Sequence, residues 1–218
     1  VKIADEFSDA SEKENYTVID CISCGFKHLD PIPTEDEMNN YYSKEYYSEG
    51  DKKGRSAMRL ITEGEKREIH LGWLKHTLYK DNLHFFNLYT EKTSEPKRIL
   101  DIGCGTGDFL KYMKDSGWRT FGLEPSITAF KKAQSLGLKN IYNMTLDDFV
   151  KTNPEFIKYF DAVSLIGVLH HMPNPLETLK IACSFLKSDG VMCLLDPNEF
   201  TPLQISAKRK LNKESWWV

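Results

Sequence analysis

The 218-residue chain has little of what would direct a protein to a membrane, a nucleic acid or an oxidising compartment. No apolar run approaches the ~18 residues that a bilayer-spanning helix requires. Residues 1–20 are acidic and polar, without the apolar stretch of a signal peptide. Charge of one sign is not in excess. The 29 Lys and Arg against 32 Asp and Glu leave a net charge of -3, which argues against a binder that works by neutralising phosphates. Five cysteines, odd in number and mostly far apart, read as thiols in a reducing compartment rather than as a disulfide framework. Internal repeats and low-complexity tracts are missing too. The expectation is a soluble cytoplasmic protein that contacts neither nucleic acid nor membrane.

What is present is a globular composition, 40% hydrophobic with twelve Phe, ten Tyr and four Trp, in a chain long enough to bury a core without metal or disulfide staples. The chain opens on Val1 and ends on Trp216, Trp217 and Val218. Chain ends are usually polar and frayed. Either the tryptophans dock on the core or both ends are incomplete, and the apolar ending favours the second.

Three regions follow in order. Residues 1–34 read as a flexible acidic lead and a turn region with Cys21, Cys24, Gly25, Pro31 and Pro33. Residues 35–97 read as helical. Thr34 and Glu37 have the spacing of a capping box, and Tyr41, Tyr42, Tyr46 and Tyr47 follow. Apolar positions from Ile69 to Leu88 recur at three- and four-residue steps, predicting two helices broken near 80–82. Residues 98–218 alternate short apolar runs with helical stretches. Predicted strands are 98–102, 120–124, 140–143, 162–166 and 191–196. Predicted helices are 108–116, 126–136, 146–152, 175–186 and one near 202–211. This alternation predicts an α/β fold, a Rossmann-like doubly wound and mainly parallel sheet.

The first strand of that sheet runs into a glycine-rich turn, Asp101-Ile-Gly-Cys-Gly-Thr-Gly107. Such a turn lets a ligand approach the backbone at the crevice of a doubly wound sheet. The dinucleotide fingerprint requires a third glycine where this chain has Asp108, and no Gly-Lys-Ser/Thr follows for a phosphate loop. Acids on the rim would repel a pyrophosphate and attract a cation. A ligand with a ribose, an ammonium and a sulfonium suits them. Glu124 stands seventeen residues after Gly107 at the end of the next strand, where a carboxylate can accept both hydroxyls of a ribose.

Together with Gly122-Leu-Glu-Pro-Ser126, Phe160 to Pro175 and Leu186 to Asn198, this segment resembles the class I S-adenosylmethionine-dependent methyltransferases in the order and spacing of four motifs. Residues 21–50 resemble the front end of a small-molecule branch, in which a zinc-ribbon-like lead and a tyrosine-bearing helix precede the catalytic domain. The resemblance implies that Asp101, Gly103, Cys104 and Gly105 line the methionine and ribose, that Glu124 holds the ribose diol and that Pro125 borders the adenine. It further implies adenine contacts from the backbone of Thr145 and Leu146, with Met144 where an acid is usual, and Ile166 and Gly167 beneath the methionine. Of the histidines after the fourth strand, His171 is the candidate general base, with His170 beside it. The tyrosine segment is either a lid, with Tyr47 or Tyr46 over the pocket, or a helix packed on the core. Cys21 and Cys24 have zinc-knuckle spacing without a second pair, so no bound metal is expected. The family's fuller sheet is expected to keep about five strands here, its exposed edge being a place for a second copy of the chain.

The expected activity is transfer of a methyl group from S-adenosylmethionine, leaving S-adenosylhomocysteine, to an oxygen, nitrogen or carbon of a small metabolite. Two alternatives stay open: a non-catalytic S-adenosylmethionine-binding or scaffold protein, and a nucleotide-dependent oxidoreductase, against which Asp108 counts.

Overall fold

A computed structural model of the chain describes residues 2–3, 16–23, 27–40, 72, 75–90 and 95–196. Two compact units divide at residues 54 and 55. In the first, β1 (Lys2–Ile3), β2 (Thr17–Asp20) and β3 (Lys27–Asp30) form an antiparallel three-stranded sheet in the order β1-β2-β3, followed by helix α1 (Glu35–Asn40). The sequence reading of a flexible lead is corrected here. Thr17-Val-Ile-Asp looks polar at its ends, yet pairing with two neighbours buries Ile19 to 5% exposure. The capping box forms as expected. Glu37 N–H donates to Thr34 Oγ1 at 3.3 Å, and Thr34 N–H donates back to Glu37 Oε2 at 2.8 Å.

In the second unit a π-helical turn (Lys75–Tyr79) runs directly into α2 (Lys80–Tyr89). The break expected near 80–82 is therefore absent. Asn82, which reads as a helix breaker, is instead buried and donates its amide N–H to the Leu78 carbonyl at 2.9 Å, one turn back.

Next come β4 (Arg98–Ile102), α3 (Asp108–Asp115), β5 (Arg119–Leu123), α4 (Ile127–Ser135), β6 (Asn140–Tyr142), α5 (Leu146–Thr152), β7 (Phe160–Ile166), α6 (Pro175–Ser184) and β8 (Leu186–Leu195). The five strands pair in parallel in the order β6-β5-β4-β7-β8, the doubly wound arrangement that the alternation predicts. Boundaries agree or differ by one or two residues, except that β8 starts at Leu186 rather than Val191. Ser188-Asp-Gly190 falls at an irregularity of the pairing, where the register steps from Phe160 opposite Leu186 to Ala162 opposite Val191.

Both faces of the sheet are covered, so β4 is buried almost end to end. Ile99 and Ala162 point to one face with Phe86, Phe109, Met113 and Trp118. Leu100, Ile102, Val163 and Leu165 point to the other with Phe149, Ala182 and Phe185. Three of the helices, α4, α5 and α6, start where a side chain caps them. Ser126 accepts from Ala129 N–H, Thr145 from Asp148 N–H, and Asn174 from Glu177 N–H ahead of Pro175. Order β6-β5-β4-β7 places the chain reversal between β4 and β5 on one side and β7 on the other, so the crevice lies beyond the carboxyl end of β4. Among the described residues, no helix is long and apolar enough to cross a membrane.

Candidate functional site

The turn after β4 is shaped by its glycines. Gly103, Gly105 and Gly107 have φ of 71°, 53° and 81°, in the left-handed region that residues with a side chain rarely adopt. A Cβ on Gly103 would also lie 2.6 Å from Val168 Cγ2, and one on Gly107 2.7 Å from Leu138 Cδ1. The loop is tied to the head of β5, because Gly103 and Cys104 both donate their N–H to the Leu123 carbonyl at 2.9 Å.

Glu124 sits at the head of β5, 5% exposed. Its Oε2 accepts from Gly105 N–H and its Oε1 from Ser126 N–H, each at 2.8 Å. Each oxygen has room for a further donor, so two adjacent hydroxyls can be received without displacing either backbone bond. Burial pushes the Glu124 carboxyl up, while the two N–H donors oppose that shift. Asn143 braces the segment by donating to the Glu124 and Pro125 carbonyls at 2.9 and 2.8 Å.

Asp101 is the second buried acid, 3% exposed. Burial pushes its carboxyl up to about 7. The Ser164 hydroxyl, which donates to Oδ1 at 2.7 Å, pulls it down, and the Glu124 charge pushes it up. Neither acid has an ion-pair partner among the described residues. Tyr79 lies over the same region, packed on Phe109 and Tyr112 with ring centroids 5.1 and 5.7 Å away. Tyr79 is 6% exposed, and its hydroxyl forms no hydrogen bond among the described residues. Burial, with the charges of Asp108 and Asp101, pushes it above its ordinary range.

The segment after β7 adds the histidines. Gly167 turns with φ of 66° and donates its N–H to the Leu195 carbonyl at 2.6 Å. Leu169–His171 then form one short helical turn that sets the two imidazole centroids 3.7 Å apart with their planes tilted by 49°. His170 Nδ1 lies 2.6 Å from Asp196 Oδ1, just past β8, which leaves its Nε2 outside that bond. Burial, then the neighbouring His170, pulls the His171 imidazole down to about 4, so it is uncharged at neutral pH.

The structure thus brings together Asp101, Gly103, Cys104, Gly105, Glu124 and Pro125 at the heads of β4 and β5. Thr145 and Leu146 lie after β6, and Ile166, Gly167 and His171 lie after β7. Thr145 also has a structural task as the cap of α5. Tyr47, with Tyr41, Tyr42, Tyr46, Cys24 and the residues near 202–211, lies outside the described residues. Among the described residues no group of three or more His, Cys, Asp or Glu side chains is placed to hold a metal. Sequence reasoning passed over Ser164, Tyr79, Asn143 and Asp196. Their signal is faint, since a polar residue inside an apolar strand or a strand end has no spacing of its own.

Comparison with known proteins bears on family and fold. A family model described as "Methyltransferase domain" matches residues 73–218, more than half of the chain. The ubiquinone biosynthesis O-methyltransferase of Actinobacillus pleuropneumoniae serotype 7 (strain AP76) is 33% identical over 102 residues, 44% of each protein. The tRNA U34 carboxymethyltransferase of Desulfotalea psychrophila (strain LSv54 / DSM 12343) is 32% identical over 101 residues, 45% of this chain and 32% of that protein. The chain spans about half the length of the curated relatives it matches, or less. The plantazolicin methyltransferase BpumL, solved with a triazolic desmethylPZN analog and SAH, superposes with a TM-score of 0.54 at 20% identity, covering 84% of this chain and 66% of that one. At that identity the likeness is one of fold.

Proposed function

This chain belongs to the methyltransferase-domain family, and on that footing we propose that the crevice beyond β4 binds S-adenosylmethionine and serves methyl transfer to a small metabolite. Glu124 supports the reading most. Its two carboxylate oxygens are pinned by backbone N–H groups beside a left-handed glycine turn, leaving acceptor capacity for the two hydroxyls of a ribose. Asp101 fits the ammonium of the amino-acid end. Two buried acids with no cation paired to them among the described residues suit a positively charged ligand and oppose a pyrophosphate. Gly103, Cys104 and Gly105 let that ligand lie against the backbone. Pro125, with the backbone of Thr145 and Leu146, borders the adenine, and Ile166 and Gly167 lie beneath the methionine.

The bound donor supplies an electrophilic methyl group on a sulfonium. What the chain contributes is alignment of the acceptor and exclusion of water. A hydroxyl or ammonium acceptor must also lose a proton, and the histidine pair receives it. His171 is uncharged at neutral pH, which leaves a ring nitrogen to accept a proton, while burial makes it a weaker base than a free imidazole. His170, oriented by Asp196, is its partner.

A thermal-shift comparison of S-adenosylmethionine, S-adenosylhomocysteine and NADH tests the reading, since a ligand that binds only the folded state raises the melting temperature. The two sulfur compounds are expected to stabilise and NADH is not. A shift with NADH alone would transfer the site to the oxidoreductase alternative. Once an acceptor is in hand, His171→Ala is expected to lower the methyl-transfer rate by about a hundredfold, and a rate equal to wild type would leave His171 a structural part of the turn.

A further inference from the structure

We propose that Ser164 is a positioning residue for the amino-acid end of the ligand, its hydroxyl fixing the Asp101 carboxylate in the orientation that receives the ammonium group. The inference rests on the cofactor reading above and assigns a residue that the sequence left as strand filler.

The sheet register puts Asp101 between Gly122 on β5 and Ser164 on β7. Gly122 has no side chain, so within that row Ser164 alone offers Asp101 a donor. Its hydroxyl is fully buried and lies 2.7 Å from Asp101 Oδ1. The next residue in the row, Cys193 on β8, does not compete for that hydroxyl, because its thiol donates to Asn82 Oδ1 at 2.5 Å. Asp101 Oδ2 has no hydrogen bond among the described residues. A carboxylate held by one oxygen and open at the other is preorganised for a single cationic donor. Loss of the hydroxyl would free the carboxylate to rotate and would make its ionised form harder to hold in a buried place.

The titratable groups around Asp101 come from every side of it: Glu124 at the head of β5, whose charge pushes the Asp101 carboxyl up, and Tyr79 from the π-helical turn, Cys104 in the glycine turn and Cys193 on β8, each of which the Asp101 charge pushes up. None is a cation, so the Ser164 hydroxyl is the element that eases ionisation of Asp101, whose carboxyl is otherwise pushed up by burial.

Calorimetric titration between pH 6 and pH 8.5 tests this with two probes. S-adenosylhomocysteine carries the amino-acid end, and 5′-methylthioadenosine keeps the adenosine and sulfur without it. In Ser164→Ala, affinity for S-adenosylhomocysteine at pH 7 is expected to fall about tenfold. Affinity for methylthioadenosine is expected to stay within about twofold, and the pH at which S-adenosylhomocysteine affinity reaches half its maximum is expected to move upward. Ser164→Cys, close in shape and a weak donor, is expected to lie between the two, and serves if the alanine variant does not fold. A variant that weakens both probes equally at every pH, or neither, overturns the positioning role. Wild-type protein that binds neither probe overturns the cofactor reading beneath it.

Discussion

The two ends of the parallel sheet handle charge in opposite ways. At the amino-terminal edge, cations rest on rings and carbonyls or meet an acid. Arg98 lies 4.2 Å over the Tyr159 ring, Arg119 lies 5.5 Å over Phe121, Lys114 donates to the Gly137 carbonyl, and Lys187 pairs with Asp161. An open hollow of about 340 Å³ there is bounded by Arg98, Lys114, Trp118 and Arg119. At the carboxyl-terminal edge two buried acids, Asp101 and Glu124, face the glycine turn with no cation among the described residues. A fold gains nothing by burying uncompensated charge, so such charge marks a place built for something other than stability. The lesson is that the hollow and the unpaired buried acids lie at opposite edges, so concavity and the balance of charge point to different places.

Replacing the acid at one edge and a cation at the other sharpens the contrast most. Glu124→Ala is expected to cost about a hundredfold in S-adenosylhomocysteine affinity, since two charge-assisted bonds to the ribose and the anchoring of the loop disappear together. Arg119→Gln is expected to leave that affinity within about twofold. Equal losses in titration calorimetry would erase the distinction between the edges.

Stability should respond to the acids in the reverse sense. The folded pKa of Asp101 is raised to about 7 from 3.8, so its contribution to stability is full below about pH 4 and is lost as pH rises through 7. Asp101→Asn is therefore expected to make the ligand-free protein more stable at pH 8, by on the order of 2 kcal/mol. The gain should vanish near pH 4 and ligand affinity should be lost, as urea unfolding at both pH values with and without ligand can show. A variant less stable than wild type at pH 8 would mean that this acid is compensated within the fold.

A smaller effect attaches to His171, whose folded pKa is lowered to about 4 from 6.5. Its contribution to stability is full above about pH 6.5 and is lost as pH falls toward 4. His171→Gln is expected to flatten acid unfolding in that window by about 1 kcal/mol, reduced by the partial exposure of the ring. A pH profile superimposable on wild type would place the imidazole in water.

Much of the second unit was legible because its signals are local. Helix α5 has the bounds that Thr145 and the apolar spacing predict, and β4 ends where the glycines begin. The first unit was less so. Thr17-Val-Ile-Asp and Lys27-His-Leu-Asp are too short for alternation to stand out, and only pairing across the intervening turn makes them strands. The site was legible in its anchors, Asp101 and Glu124, because each ends a strand at a turn with special glycines. Ser164 and Tyr79 were not, since each is defined by what lies opposite it in the fold, and sequence separation hides that. The bond from Ser164 to Asp101 spans 63 positions.

The central claim, that the carboxyl-terminal edge holds negative charge awaiting a positively charged ligand, is met most directly by measuring proton release on S-adenosylhomocysteine binding. Calorimetry near pH 6.5 in buffers of different ionisation enthalpy gives that number. Binding is expected to expel a substantial fraction of a proton there, as the ammonium group draws the Asp101 carboxyl below about 7, and almost none by pH 8.5. Binding that expels no proton at either pH would contradict the account.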